Sequence, residues 1–432
     1  MQQEEQLTAI ATHPSLNWLN SFLETFSHAE IFFVGGCVRD IFLGRSTKDV
    51  DIIVRSVPAP DLEKWFSQHG TINLVGKTFG VYKFVPDGLK EEIDIAIPRT
   101  EYATEDSHGR YKDVKVDART DLPIEMDLAR RDFTINAMAF DVRYKHLVDP
   151  YHGKRDLESK TLRAVGIPKT RFEEDLSRLL RAVRFACTLG FHIESETWSA
   201  IQSLASRLIE KVDDQYVVPR ETIGREFLKS FLADPLCTIT RYETAGFLSV
   251  LFPAIDVATA KHNVEDVGGL SPKLLLALFL SATDLDNAQH ILLEYHFSQF
   301  PRADRFHVST QELLWLLRSV HLVDVVESPS LLPGSTFERL FLGSRGEDLL
   351  ALLALIRPEA KEKMQRVRER REIIQKIWGD EIPELMSGQD LIRLGHTPGP
   401  SFRKMQQAVR DAQLDGSVRS KEDALALVQK MQ

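Results

Sequence analysis

Two aspartates, Asp49 and Asp51, are separated by a single residue in a stretch that is predicted to form a strand. Side chains two positions apart on a strand point to the same face, so the two carboxylates are expected to lie side by side. Two negative charges so close are unfavourable unless a cation lies between them, and hard oxygen ligands suit Mg²⁺. A third aspartate, Asp94, lies in another predicted strand, and three carboxylates could hold two Mg²⁺ ions about 4 Å apart. Such a site activates an attacking hydroxyl and stabilises a leaving phosphate oxygen.

A glycine turn lies upstream of the acidic pair. The strand predicted over residues 31–36 ends in Gly35 and Gly36, and a helix is predicted to follow at once. Glycine lets the backbone approach a ligand closely, and the N-terminus of a helix offers unpaired N–H groups to an anion. Arg39, in the first helical turn, could reach the same phosphate. An isolated Asp-x-Asp pair can simply end a surface strand, but the glycine turn and the arginine favour a phosphate site.

A second polar segment contains Arg130 and Arg131, followed by Asp132 and Asn136. An arginine pair suits bidentate contact with phosphate, whereas Asp132 and Asn136 suit the hydroxyls of a ribose. Taken alone, the segment could equally be a salt-bridged entry into a strand.

A third segment places Asp175, Arg178, Arg181 and Arg184 three residues apart. On a helix these side chains share one slowly drifting face, while Phe185 and its apolar neighbours are predicted to face the core. An aspartate accepts and an arginine donates hydrogen bonds, so such a stripe could read the hydrogen-bonding edge of a base. A solvated helix face is the competing interpretation.

The predicted elements place these segments in two differently built regions. Up to about residue 145, strands are predicted over 31–36, 49–54, 80–85, 91–97 and 135–142, and helices over 15–26 and 38–43. After residue 150, apolar residues recur three and four apart, which predicts helices over 157–165, 175–189, 196–208 and 222–232 and a helical remainder. The fold class is therefore predicted to be α+β, with an N-terminal mixed sheet followed by all-helical regions.

The composition predicts a folded protein of several domains. The chain has 432 residues, of which 43% are hydrophobic, and this length suggests about two to four domains. No apolar run approaches the roughly 20 residues of a membrane span, and the acidic, mixed N-terminal stretch does not resemble a signal peptide. Three widely separated cysteines, Cys37, Cys187 and Cys237, fit a reducing cytosol and argue against a zinc site or a disulfide framework.

The charge distribution is uneven. The net charge of −9 argues, taken alone, against a nucleic-acid partner. However, the stretch from Lys154 to Arg184 contains nine Lys/Arg and five Asp/Glu, and the stretch from Lys361 to Lys376 contains seven Lys/Arg and three Asp/Glu. These two basic islands could contact phosphates, or they could be ordinary solvated helix faces.

Four motifs in order identify a family. They are Gly35–Asp40 (GGCVRD), Asp49–Asp51 (DVD), Arg130–Ala137 (RRDFTINA) and Glu174–Arg178 (EDLSR). Together they closely resemble the class II tRNA nucleotidyltransferase/poly(A) polymerase family over roughly residues 31–231. Residues 149–157 also resemble the hinge element of this family, and residues 390–416 resemble a C-terminal helical region found in part of it.

The resemblance implies four regions and a set of ligands. A polymerase beta-like nucleotidyltransferase head would span residues 1–145, a neck 146–235, a helical body 236–340 and a tail 341–432. In the head, Asp49 and Asp51 would hold Mg²⁺, with Asp94 as the third catalytic carboxylate. The triphosphate and sugar would contact residues of the first and second polar segments: Gly36, Arg39, Arg131, Asp132 and Asn136.

In the neck, the resemblance makes Asp175 and Arg178 a protein template for CTP and ATP. Glu174 would orient Arg178, while Arg181 and Arg184 would support the nucleotide phosphates. The body and tail would grip the acceptor arm and elbow of tRNA, to whose 3′ end C and A would be added without a nucleic-acid template. A cytoplasmic enzyme without a membrane partner is expected, with a monomer favoured.

One motif departs from the family pattern, and several alternatives stay open. The family's Glu-Arg-Ile-x-x-Glu is here Glu221–Glu226, with Thr222 in place of the arginine, so nucleotide switching could be altered. The polar stretch 99–123 is long enough for the flexible loop with which relatives switch from CTP to ATP. Its length disfavours CC-only addition but does not separate CCA from A-only addition. A poly(A) polymerase, an enzyme that modifies a small molecule such as an antibiotic, and an inactive RNA-binding protein are the other candidates.

Overall fold

The structure is a computed structural model that describes residues 5, 7–8, 13–47, 50–74, 80–103, 108–110, 114–297, 308–324, 326–379 and 381–431. Asp49, one of the predicted metal ligands, lies outside the described residues. The chain divides into two compact units, Met1–Pro253 and Ala254–Gln432. The region boundaries expected near residues 146, 235 and 340 stay predictions.

The first unit contains the β structure of the described residues. Its strands are β1 (Glu30–Val34), β2 (Asp51–Arg55), β3 (Gly70–Leu74), β4 (Val81–Pro86), β5 (Ile93–Ala96), β6 (Arg99–Ala103), β7 (Val114–Ala118), β8 (Ala139–Asp141), β9 (His146–Val148), β10 (Thr161–Leu162), β11 (His192–Ile193), β12 (Lys211–Val212) and β13 (Gln215–Tyr216). Seven of them form one mixed sheet in the order β3-β4-β5-β2-β1-β8-β9. Within it β2 and β5 are parallel, and the other neighbours are antiparallel.

Helices of the first unit flank the sheet and then continue without it. They are α1 (Trp18–Thr25), α2 (Gly36–Phe42), α3 (Ala59–His69), α4 (Ile124–Ala129), α5 (Gly153–Glu158), α6 (Pro168–Glu174), α7 (Ser177–Leu189), α8 (Ser195–Leu204), α9 (Arg220–Phe231), α10 (Pro235–Thr244) and α11 (Phe247–Leu251). Short 3₁₀ turns lie at Pro14–Leu16, Thr134–Asn136 and Ala205–Ile209.

The central strands are held by apolar packing. Phe32 and Val34 of β1 and Ile53 of β2 form a buried cluster with Ile124 and Leu128 of α4. Burial of such side chains is the main favourable term in folding, so this cluster fixes the ends of β1 and β2. The glycine turn and Asp51 lie at those ends.

An aromatic cluster anchors α1 and α3 to the sheet. The ring of Trp18 in α1 lies edge-on to Phe66 of α3 at 5.3 Å and to Phe84 of β4 at 5.7 Å, measured between ring centroids. Edge-to-face arrangements of this kind add to the apolar burial of each ring. The predicted helix over residues 15–26 is therefore confirmed at Trp18–Thr25, with its apolar stripe facing the core.

The stretch 99–123, expected as a flexible loop, is partly regular. Its described residues include an antiparallel hairpin in which β6 pairs with β7 from Arg99 opposite Ala118 to Ala103 opposite Val114. The strand β6 lacks an apolar alternation, whereas in β7 Val114, Val116 and Ala118 alternate with polar residues and the loop interpretation overlooked this signal. Residues 104–107 and 111–113 of this stretch lie outside the described residues.

Two further sequence predictions need correction. The strand expected over residues 135–142 is only β8, because Thr134–Asn136 form a 3₁₀ turn. The helix expected over residues 157–165 ends at Glu158 and is followed by the short strand β10. The strand pairs β10–β11 and β12–β13 show that the region after residue 150 is not purely helical.

The described part of the second unit is helical. Its helices are α12 (Val257–Asn263), α13 (Pro272–Leu280), α14 (Leu285–Glu294), α15 (Thr310–Asp324), α16 (Gly334–Phe341), α17 (Gly343–Ile356), α18 (Lys361–Trp378), α19 (Gly388–Arg393), α20 (Pro400–Leu414) and α21 (Lys421–Lys430). Ser387 and Ser420 each start a helix with a reciprocal capping box. Their side-chain bonds satisfy N–H groups that the first turn leaves unpaired.

The expectation against a disulfide is wrong for one pair of cysteines. Cys187 of α7 and Cys237 of α10 are disulfide-bonded, with Cα atoms 5.8 Å apart. A sequence separation of 50 residues does not show that α7 and α10 pack together. Cys37 remains a buried free thiol.

The α+β class predicted from the sequence is confirmed. Among the residues that the structure describes, no helix is both long and apolar enough to cross a membrane.

Candidate active site

The glycine turn sits at the end of β1, directly against an arginine. Gly35 has φ of +71°, a conformation that L side chains rarely adopt. A Cβ atom at this position would lie 2.6 Å from Nη1 of Arg131, so the guanidinium would have to move to admit one. Helix α2 begins at Gly36, which lines the cavity described below, so its unpaired first N–H groups lie beside this space. The turn is therefore built for close approach of the backbone to a ligand.

An acidic edge follows the glycine turn. Asp51 begins β2 and pairs in register with Asp94 of the parallel strand β5, so the two side chains extend from the same face of the sheet. Both are exposed, the Asp94 side chain by 50%. Nζ of Lys83, opposite Asp94 on β4, lies 3.3 Å from its carboxylate and also contacts Glu92. The predicted third carboxylate thus shares its face with a lysine.

The charge of Asp51 also reaches the neighbouring thiol. Burial, and then the negative charge of Asp51, raise the pKa of Cys37 to about 12. Cys37 is therefore a neutral packing residue beside the acidic edge.

Asp132 is the buried centre of an arginine-rich wall. Its carboxylate accepts from Nε of Arg181 at 2.9 Å, from Nδ2 of Asn136 at 3.0 Å and from the Phe133 backbone N–H at 2.9 Å. Burial alone would raise its pKa, but the charge of Arg181 and the Asn136 hydrogen bond outweigh this and lower the pKa of Asp132 to about 2. Arg39 then donates to Oδ1 of Asn136 at 2.8 Å, which ties α2 to this centre.

A second buried carboxylate holds the arginine pair. Asp127 accepts from Nη2 of Arg130 at 2.7 Å and from Nη2 of Arg131 at 3.1 Å. Burial would raise the pKa of Asp127, but the two guanidinium groups overcome it and the pKa is lowered. Arg130 also donates to Glu101 of β6 at 2.7 Å, so the hairpin is linked to the same network.

The predicted base-reading residues lie on different backbone elements. Asp175 has an extended backbone between α6 and α7, and its Oδ1 accepts from the Ser177 backbone N–H at 2.9 Å. The sequence predicts Asp175 inside the helix, whereas the structure places it just before α7, where its side chain caps the helix. Nη1 of Arg178 donates to Glu174 at 2.8 Å, and Arg171 donates to the same Glu174 carboxylate at 2.8 Å.

Arg184 forms an ion pair with a glutamate and does not line the space where the nucleotide phosphates are predicted to bind. Its Nε donates to Glu226 of α9 at 2.5 Å, and Glu226 is buried. Glu226 is the last residue of the motif in which Thr222 replaces the family's arginine. The glutamate therefore has a cationic partner in this chain despite the replacement.

These residues meet around one cavity of about 400 Å³. Its lining contains most of the predicted site: Gly35, Gly36, Arg39, Asp51, Arg130, Arg131, Asp132, Asn136, Asp175, Arg178, Arg181 and Phe185. Within the described residues, Asp94, Glu174 and Arg184 do not line it, and they contact the lining residues or the acidic edge instead.

Sequence reasoning missed four members of the site. Asp127 was not identified, although a carboxylate shortly before an arginine pair is a signal for an ion pair. Glu226 was not assigned to the site, although a glutamate in a helix that follows an arginine stripe could be its partner. Arg171 carried no signal beyond its charge. Phe185 is buried, as predicted, and it also borders the cavity, which was not predicted.

The chain is similar to known proteins over the region that holds this site. Residues 31–163, which hold the sheet and the glycine turn, match the family described as the poly A polymerase head domain. The CCA-adding enzyme of Streptococcus suis (strain 05ZYH33) is 42% identical over 207 residues, 48% of this chain and 46% of that protein. The CCA-adding enzyme of Streptococcus pneumoniae (strain CGSP14) is 32% identical over 295 residues, 67% of each chain.

The fold agrees over a longer stretch. The structure of the Thermotoga maritima CCA-adding enzyme complexed with tRNA aligns with a TM-score of 0.67 at 22% identity, covering 99% of this chain and 98% of that one. The N-terminal region is thus a head domain of the poly A polymerase type. The chain belongs to the family of the CCA-adding enzymes. The match to the S. suis relative spans under half of that protein's length.

Proposed function

We propose that this protein adds C and A nucleotides from CTP and ATP to the 3′ end of tRNA, without a nucleic-acid template and with release of pyrophosphate. The observation that carries the proposal is the single cavity that joins a glycine turn, an arginine-rich wall and the pair Asp175 and Arg178. Family membership supplies the substrate class.

The triphosphate fits the arginine-rich wall. Arg39 and Arg131 line the cavity beside Gly36, and their guanidinium groups suit bidentate contact with phosphate. Internal acids hold both arginines: Arg131 contacts Asp127, and Arg39 contacts Asp40 at 2.8 Å. Such preorganised donors bind developing negative charge without rearrangement, so we infer that this wall neutralises the phosphates during transfer.

The sugar fits the neighbourhood of Asp132 and Asn136. Asp132 already accepts hydrogen bonds from Arg181, Asn136 and the Phe133 backbone. A carboxylate offers about four acceptor positions, so a ribose hydroxyl would share or replace one of these bonds. We therefore assign Asp132 the additional task of fixing Arg181 and Asn136.

The base fits Asp175 and Arg178. The contact of Arg178 with Glu174 fixes the guanidinium plane, and Nη2 also donates to the backbone oxygen of Arg130 at 3.2 Å. An oriented arginine and aspartate can present donors and acceptors to cytosine or adenine as a pairing base would. Arg181 supports this wall through Asp132, whereas the contact of Arg184 with Glu226 makes it a brace of α7.

The acidic edge suits Mg²⁺. Asp51 and Asp94 are oxygen donors in register on adjacent strands, and Asp51 lies close enough to the turn for Oδ2 to be 3.7 Å from a Cβ built on Gly35. The described residues contain no group of three or more potential metal ligands, and Asp49 lies outside them. We propose that Asp49 and Asp51 hold Mg²⁺ with Asp94 beside them, and that the metal supplies charge neutralisation at the transferred phosphate.

With the nucleotide so placed, the 3′-hydroxyl of tRNA attacks the α-phosphorus and pyrophosphate leaves. Much of the rate enhancement comes from positioning the two reactants. We propose that residues 236–340 and 341–432 act as the body and tail that bind the acceptor arm and elbow of tRNA, and that the enzyme is a cytoplasmic monomer.

The test is incorporation of labelled CTP and ATP, separately and together, onto tRNA transcripts that end at the discriminator base, at C or at CC. Growth of the bare transcript to full CCA is the expected result. Extension of only the CC-ended transcript would show that the enzyme adds only the terminal A. Addition of only two C residues to the bare transcript would show that it is a CC-adding enzyme. Long A tails would identify a poly(A) polymerase. Tight tRNA binding without pyrophosphate release would contradict the proposal and leave a binding protein.

A further inference from the structure

Three guanidinium groups surround the ring of Phe185. The Cζ atoms of Arg39, Arg181 and Arg184 lie 5.1, 5.4 and 4.1 Å from its centroid. Each distance is within the roughly 6 Å over which a cation is attracted to an aromatic face. Arg39 comes from α2 beside the glycine turn, whereas the other two arginines come from α7.

The ring is fixed in place and borders the cavity. Phe185 is 7% exposed, and its ring lies edge-on to the fully buried ring of Phe133 at 5.7 Å and 80°. Together with Arg39 and Arg181 it lines the space assigned to the triphosphate. Phe185 is therefore both a packed core residue and part of the cavity lining.

The arrangement solves an electrostatic problem. Three cations close together repel one another, and each has one acid of its own: Asp40 for Arg39, Asp132 for Arg181 and Glu226 for Arg184. An aromatic face adds attraction through its quadrupole without occupying an N–H donor. Of their five N–H donors, Arg39 and Arg181 thus keep some that Asp40, Asn136 and Asp132 do not engage and that can bind a phosphate oxygen.

We propose that Phe185 is a positioning residue for the nucleotide triphosphate, and that its ring holds the arginine of α2 against the arginines of α7. The inference deepens the proposed function and rests on it for the identity of the nucleotide. It makes a specific claim about selectivity: because the ring acts on phosphate-binding arginines, CTP and ATP lose affinity equally when it is removed.

The experiment compares three kinds of variant. Phe185→Leu and Phe185→Met remove the ring, with Met as the variant of closer volume should the Leu variant fail to fold. Phe185→Tyr keeps the aromatic face. Phe231→Leu is the matched control, because Phe231 is a fully buried phenylalanine of α9 that stacks on Phe227. Calorimetry gives the Kd for CTP, ATP and inorganic tripolyphosphate, and thermal unfolding gives Tm.

The ring-free variants are expected to bind all three ligands roughly 3–10-fold more weakly. Their KM for CTP should rise by the same factor, while kcat at saturating CTP stays nearly unchanged. Phe185→Tyr should bind like the wild type, and Phe231→Leu should lower Tm without changing Kd.

Several results would overturn the inference. One is that the ring-free variants and the wild type have equal Kd values. Another is that Phe185→Tyr binds the ligands as weakly as Phe185→Leu. The third is a loss of affinity for only one nucleotide, which would make the ring a contact to the base. Tripolyphosphate binding does not depend on activity towards tRNA. A protein that fails to extend tRNA but shows the ring effect would therefore contradict the proposed function and still support this role of Phe185.

Discussion

The arginine-rich wall lines the cavity, whereas only Asp51 of the acidic edge does, and the two regions are organised differently. Along the wall, buried acids hold the guanidinium groups: Asp132 holds Arg181, and Asp127 holds Arg131. At the edge, Asp51 and Asp94 extend exposed carboxylates from neighbouring strands. Under the proposed function, the protein's own acids shape the wall that would bind phosphate, whereas the edge would be completed by Mg²⁺.

The largest effect is expected at the edge. Asp51→Ala should lower incorporation of CTP by roughly a thousandfold or more, because several kcal/mol of transition-state stabilisation are lost with the metal. Asp49→Ala should behave alike. Binding of tRNA should stay nearly intact, as measured by filter binding.

The control for the edge is Asp61→Ala. Asp61 is an exposed aspartate in the first turn of α3, away from the sheet edge that carries Asp51. Normal turnover by Asp51→Ala, or an equal loss in the control, would remove the metal assignment.

A smaller effect is expected where the wall meets the base. Asp175→Ala should relax the choice among the four nucleotides by about 10–100-fold, since a direct hydrogen bond to a base contributes about 1–3 kcal/mol of discrimination. Competition among CTP, ATP, GTP and UTP measures this change. Unchanged selectivity with a raised KM for every nucleotide would place Asp175 among the phosphate contacts instead.

The buried centre of the wall predicts a pH-dependent stability. The pKa of Asp132 is lowered to about 2 from an ordinary value of 3.8, so its contribution is complete above the ordinary value and is lost as the pH falls towards 2. Asp132→Asn should reduce the free energy of unfolding at pH 7 by an amount on the order of 2 kcal/mol.

Urea unfolding at pH 7 and pH 3 measures this contribution. The difference between wild type and Asp132→Asn should shrink at pH 3, where the unfolded chain carries a protonated carboxyl. A difference that is the same at both pH values would show that Asp132 acts by shape rather than by charge.

The smallest effect is expected on α9. Thr222→Arg restores the family motif, yet Glu226 already accepts from Arg184 at 2.5 Å. The rates of C and A addition should therefore change by less than about twofold, as for ordinary surface substitutions. A large gain in A addition relative to C addition would show that the missing arginine limits nucleotide switching.

The same contrast explains what could be predicted from the sequence. Gly35, Asp51, Arg131 and Arg178 occur in short motifs whose residue types state their chemistry, and the structure places all four around one cavity. The contact between Arg39 of α2 and Phe185 of α7 is not visible in local patterns. The prediction that Phe185 is a core residue is confirmed by its burial, but the sequence did not reveal that three arginines from two helices surround its ring.

Backbone details were the other limit. Asp175 fits a helical spacing, but its side chain caps the helix from outside, as short polar side chains often do. The strand β6 lacks the apolar alternation that reveals a strand, whereas the alternation in β7 is present but was overlooked in a stretch that is otherwise polar. The spacing of Cys187 and Cys237 along the chain does not reveal that they are close. They meet because α7 packs on α10.

One measurement tests the contrast between wall and edge most directly. CTP binding is measured by calorimetry in EDTA and in Mg²⁺, alongside incorporation onto a tRNA transcript that lacks CCA. A preformed wall predicts that CTP still binds in EDTA, within roughly tenfold of its affinity with Mg²⁺, while incorporation is abolished. Loss of CTP binding in EDTA, or incorporation that continues without a divalent cation, would contradict the account.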